Sequence, residues 1–212
     1  MSEGWTERLA GALSPAQSPG RFALRVLALS LAALLPVLAL YLVQVPGMAA
    51  HVLGGGAAGG RFLRQVLTNG VPVVFVLTWA AALMLVAPRA GLLATLALDA
   101  ALRLTLFAGG HAAVFAGSAL AFGSFGGDPA QALQVVGPTL AAAASFGNLA
   151  GVYLYAALLA ALPLHVALLR RHWPARGAGA IPLHPRLVWL AAPGLLGAQA
   201  WVLSFIARVL SG

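Results

Sequence analysis

Residues Leu92–Phe125 read LLATLALDAALRLTLFAGGHAAVFAGSALAFGSF. The only charged or titratable side chains in this run are Asp99, Arg103 and His111. A membrane-crossing helix needs about 20 mostly apolar residues, so the run is long enough to cross with length to spare. Backbone polar groups in hydrocarbon must be satisfied within the segment, which makes the run a helix rather than a lone strand. If Leu92–Ala112 forms the membrane part, Asp99 and Arg103 sit near the midplane. If Leu104–Phe125 does, both charges sit at an interface, where Arg103 can snorkel. One long tilted helix lies between these registers.

Four other runs have similar length and character. Val26–Val45 carries Pro36, Val71–Ala87 has Pro72 near its start, and Leu149–Leu169 and Leu187–Ala207 follow later. Proline in a first helical turn costs little because the N–H it lacks would be unpaired there. The expected fold is an all-α polytopic transmembrane bundle of about five spans. A tail over residues 1–25 precedes a single transmembrane domain over residues 26–210. Glu3 and Glu7 interrupt the basic region that a cleaved signal peptide would need, so the first span is expected to remain as an anchor.

Composition agrees. The chain is 61% hydrophobic and 8% charged, against roughly 25% charged residues in ordinary soluble domains. It has no cysteine, which excludes disulfides and thiolate chemistry. All twelve basic residues are arginine, a bias that suggests a GC-rich bacterial genome. The net charge is +8, but the arginines sit at the ends of apolar runs. That pattern fits anionic lipid headgroups and not nucleic acid. With the N-terminus inside, Arg8, Arg21, Arg25, Arg89, Arg170, Arg171, Arg176 and Arg186 are cytoplasmic, and Arg61, Arg64 and Arg208 are outside. The C-terminus is then outside, and the bacterial inner membrane is the expected location. Trp173 and Trp189 flank the last cytoplasmic loop, RRHWPARGAGAIPLHPR, as interfacial aromatics do.

The outer loops carry local signals. GGGAAGG at Gly54–Gly60 reads as a flexible linker, since no GK[ST] follows to make a phosphate loop. The next stretch, GRFLRQVLTNG, reads as a short amphipathic surface helix. In FGSFGGDPAQAL, Gly126 and Gly127 are expected to end one helix. Asp128 is a suitable N-cap for the next, with Pro129 at its first position and Gln131 placed for a capping box. This helix corner could also contact a ligand or partner. Residues Ala130–Phe146 read as a surface or re-entrant helix, with a sixth span as the alternative.

Asp99 and Arg103 are four apart and can pair on one helix face, which Phe107 and His111 extend. An intramembrane ionisable group is a candidate functional site. His165 lies on the fourth span, so His111 with His165 raises haem or quinone ligation, which needs two facing imidazoles at one depth. No HExxH or comparable spacing suggests a metal site. No carboxylate pair or Ser–His–Asp set is present to support hydrolysis or phosphoryl transfer. Gly109, Gly110 and Gly117 allow close helix approach, and Tyr153, Tyr155 and Gln199 can bond between helices.

FGSFGGDPAQALQVVGPTL (Phe122–Leu140) followed by VYLYAALLAALPLHVALLRRHWP (Val152–Pro174) resembles the Yip family of small multispan membrane proteins. The resemblance covers roughly Leu92–Pro174 and implies five spans, an inside N-terminus, an outside C-terminus and no enzymatic activity. No functional residue carries over from it. The expectation is a non-enzymatic structural, scaffold or assembly subunit with no cofactor. Its partners would be anionic lipid at the cytoplasmic face and a membrane protein or a second copy. The alternatives are a small ion-coupled permease using Asp99, Arg103 and His111, and a haem- or quinone-binding subunit using His111 and His165.

Overall fold

The structure, a computed structural model, describes residues 8, 11–12, 18–86, 91–172 and 185–211. The described residues form helices and turns with no strand. Five helices are long and apolar enough to cross a membrane. Expectations that concern Glu3, Glu7, Arg89, Trp173 and Arg176 lie outside the described residues.

The first span is α1, Pro19–Gln44. It begins seven residues before the apolar run, because Pro19 at the first turn supplies a preset helical φ. Arg21 and Arg25 therefore ride on the helix rather than in a tail. A six-residue helix, α2 (Met48–Leu53), follows. Only the first part of the glycine stretch, Gly54–Gly56, is non-helical, with Gly55 and Gly56 at φ 90° and 78°. Its remainder starts α3, Ala57–Gln65.

No break separates α3 from the second span. A π-helical turn at Val66–Gly70 joins it to α4, Val71–Val86, giving one continuous helix over Ala57–Val86. The stretch expected to lie as a separate surface helix is thus the first part of a span. Its amphipathic character remains, since Phe62 packs on the core while Arg61 and Arg64 are exposed.

The third span, α5, is a single helix over Leu92–Phe122. It ends at Gly123 (φ 65°), whose N–H donates to the Ala119 carbonyl at 3.0 Å. The stop comes three residues before the expected Gly126. Gly126 and Gly127 are also left-handed, but they shape the turn after the helix, together with Phe125 at φ 55°. Asp128 caps the next helix as expected, accepting from the Ala130 N–H at 2.8 Å, with Pro129 at the first position. The backbone N–H of Asp128 donates to the Phe125 carbonyl, so the Gln131 half of a capping box does not form there.

Residues after this corner form two six-residue helices, α6 (Pro129–Gln134) and α7 (Val136–Ala141), and a 3₁₀ turn at Ala142–Ala144. Neither helix is long enough to cross, so this segment is not a sixth span. Its buried face, Ala132, Val136, Leu140 and Ala143, packs this end of the bundle, with α6 on α5 and α7 on the last span.

The fourth span, α8 (Leu149–His172), is the central helix and is buried over most of its length. It packs on α1, α4 and the fifth span, α9 (Pro185–Ser211). Asn148 caps α8 by accepting from the Gly151 N–H at 2.9 Å. Gly151 is obligatory there, because a Cβ would stand 1.9 Å from the Ser145 carbonyl oxygen. At its other end, Arg171 Nη1 donates to the Leu85 carbonyl at 2.7 Å and ties α8 to the end of α4. One face of the bundle therefore carries the ends of α4 and α8 and the starts of α1, α5 and α9. The opposite face carries α2, α3 and residues 123–148.

Candidate functional site: a buried polar cluster on three spans

Helix α5 buries one narrow stripe: Thr95, Asp99, Arg103, Phe107, His111 and Ala119. The spacing is four residues, the row that packs in oblique helix crossings. The three titratable residues of the opening sequence, Asp99, Arg103 and His111, all fall on this inward stripe. Asp99 and Arg103 are 0% and 1% exposed, so they lie inside the bundle and not at a surface.

Within α5, the Arg103 Nε donates to Asp99 Oδ1 at 2.9 Å. The other carboxylate oxygen faces two different helices. His165 Nε2 on α8 lies 3.0 Å from Asp99 Oδ2, and Gln199 Nε2 on α9 donates to the same oxygen at 3.1 Å. His165 and Gln199 are 2% and 7% exposed. A ring nitrogen facing a carboxylate carries the proton, so His165 donates from Nε2. Its Nδ1 lies 3.3 Å from the Ala161 carbonyl oxygen of its own helix.

One carboxylate thus collects a guanidinium, an imidazole and an amide from three spans. Such charge-assisted bonds are the strong ones, and they are stronger still where water is excluded. Arg103 Nη2 and Gln199 Oε1 are buried in the same cluster without a protein partner. The meeting follows from chain direction. Asp99 lies seven residues after the start of α5 and His165 seven before the end of α8, so each is about 10 Å along its helix from the same face.

His111 is not part of this cluster. It lies twelve residues beyond Asp99, about 18 Å farther along α5. Its Nδ1 donates to the Phe107 carbonyl at 2.7 Å, and its ring packs edge-on to Phe107. His165 stands level with Asp99, so His111 and His165 differ in depth and the two imidazoles do not face each other. The facing pair that bis-histidine ligation needs is absent between these two residues. Asp99, Arg103 and His165 come together and His111 stands apart. Gln199 completes the set. Its only sequence signal is a lone amide in an apolar span, enough to suggest an interhelical bond but not which partner it takes.

The helix-corner residues Gly126, Gly127, Asp128 and Pro129 form a local turn and cap at the opposite end of α5 from Asp99. The expected glycine packing is also reversed. Gly109, Gly110 and Gly117 have open space where a Cβ would stand and do not mediate packing within the bundle.

No protein-family model matches the chain, and neither a curated protein nor a solved structure matches it.

Proposed function

We propose that this protein is a non-enzymatic structural subunit of a membrane complex, one that associates within the membrane through α5. The observation that carries this reading is the outward face of that helix. Ala97, Ala101, Thr105, Gly109, Ala113 and Gly117 recur every fourth residue, and all six are exposed. In lipid, rows of small residues bring helix backbones close and favour association. Here the small row faces away from the bundle, while the polar row faces in. The arginine-rich face, with Arg171 and the starts of α1 and α9, is the cytoplasmic one in this reading, against anionic headgroups of a bacterial inner membrane.

The test replaces Gly109 and Ala113 with leucine. There is open space at Gly109 and Ala113 is exposed, so the monomer should unfold at the wild-type temperature. Particles extracted in mild detergent should fall from an assembled mass to that of the monomer. An unchanged assembled mass would sink the reading.

The Asp99–His165 contact favours a second reading, an ion-coupled permease. Buried carboxylate–imidazole pairs recur in proton relays. Under that reading, proteoliposomes show a proton flux that Asp99→Asn abolishes. Under the subunit reading there is no flux to abolish.

A further inference from the structure

Away from the cluster, the opposite face of the bundle holds a cavity between α3, the π turn and the end of α5. Its outer chamber is about 280 Å³ and is lined by Arg61, Arg64, Thr68 and Ser124 with the rings of Phe115 and Phe122. An inner chamber of about 30 Å³ adjoins it, sharing Gln65, Asn69 and Phe115. The inner walls include His111, Thr139 and Tyr153.

Three features mark this as a binding site. First, no acidic side chain among the described residues pairs with Arg61 or Arg64. Second, His111 and Tyr153 are 2% and 3% exposed, yet His111 Nε2 and the Tyr153 hydroxyl have no protein partner. Buried polar atoms are almost always bonded, so two orphans on one small chamber call for a partner. Third, π turns are frequent at functional sites, and this one lines the cavity with Thr68 and Asn69. Gly70 within it is pressed against the Tyr153 ring, where a Cβ would be 2.5 Å from the ring carbon.

The hydrogen-bond directions specify the ligand. His111 Nδ1 donates to a carbonyl, so in the neutral ring Nε2 is an acceptor and calls for a donor. The Tyr153 hydroxyl can both donate and accept. Two guanidinium groups at the mouth suit a phosphate, which accepts their forked donors. The inner chamber is large enough for a water-sized group such as a hydroxyl, since one water needs about 10–15 Å³ by this measure. We propose that the cavity binds a phosphate ester bearing a hydroxylated arm, with the phosphate between Arg61 and Arg64 and a hydroxyl reaching His111 and Tyr153. Two sources share that chemistry: a glycerol-type phospholipid headgroup and a free polyol phosphate.

The test uses the full chain purified in mild detergent. Native mass spectrometry compares retention of phosphatidylglycerol, phosphatidic acid and phosphatidylcholine, and calorimetry follows free glycerol 3-phosphate. Phosphatidylglycerol should be retained about tenfold over phosphatidylcholine, as expected for charge-assisted bonds. R61Q/R64Q should erase the preference, and both sites are exposed, so folding is not at stake. Tyr153→Phe should weaken phosphatidylglycerol about fivefold, the value of one hydrogen bond, and leave phosphatidic acid unchanged. Binding of glycerol 3-phosphate with the same variant pattern identifies a soluble ligand, and retention of the lipid alone identifies the headgroup. Equal retention of phosphatidylglycerol and phosphatidylcholine without glycerol 3-phosphate binding overturns the proposal. So does a preference that survives R61Q/R64Q. A Tyr153→Phe protein that treats all three lipids as wild type does overturns the assigned hydroxyl arm.

Discussion

Asp99 is the residue on which the interior depends. Both carboxylate oxygens are engaged, one by Arg103 and the other by His165 and Gln199. Removing one member of a buried charge set leaves the other charge without compensation, at a cost of about 3–5 kcal/mol. Asp99→Ala should therefore lower the unfolding midpoint in detergent strongly. The pair Asp99→Leu with Arg103→Met removes both charges at similar volume and should be far milder than Asp99→Ala alone. A double variant as damaged as the single one would mean that the cluster does more than neutralise itself. The i, i+4 pairing of Asp99 and Arg103 was legible from spacing alone. The partnership with His165 was not, because residues 66 positions apart meet only once two antiparallel helices are set in register.

Among the elements, local chemistry set the boundaries more sharply than hydropathy did. Asp128→Ala removes the N-cap bond to Ala130 and should cost about 1 kcal/mol, measurable as a small fall in thermal midpoint. Gly151→Ala is expected to be much worse. Its Cβ would meet the Ser145 carbonyl oxygen at 1.9 Å, and backbone cannot yield as a flexible side chain does. Overpacking of this kind costs about 1–3 kcal/mol or more, which denaturation of the purified variant would register. The Asp-Pro start of α6 was readable because its cap is local. The end of α5 at Gly123 was read too late, because three nearby glycines offer the same left-handed freedom and only packing selects among them. The union of α3 with α4 was missed for a related reason. Polar residues at 64–65 and 68–69 set the amphipathic stretch apart from the apolar run after it, but the π turn carries the helix through them.

For the whole molecule, five helices are long and apolar enough to cross a membrane, and the proposed topology puts the start of α1 and the end of α9 on opposite sides. The absence of cysteine makes this simple to test. Single cysteines at Leu53 and Gly91, both exposed, lie at opposite faces. With the arginine-rich face cytoplasmic, an impermeant thiol reagent applied to intact cells should label Leu53→Cys. Gly91→Cys should react only after permeabilisation. Labelling of both in intact cells would contradict the five-crossing topology, and the reverse pattern would invert the orientation.

The number of spans, their helical nature and the asymmetry of the arginines were determined by sequence alone. Each follows from the cost of placing unpaired backbone or charge in hydrocarbon, and that cost is local to a segment. Tertiary structure decided which way each face of α5 turns. Its polar and small rows both repeat every four residues, so periodicity makes them equal candidates for the interior. Arg103 engages one oxygen of Asp99, and His165 and Gln199 on neighbouring spans engage the other; this draws the polar row inward and leaves Gly109 and Gly117 outside. The same packing places His111 beside Tyr153 on a cavity at the other face.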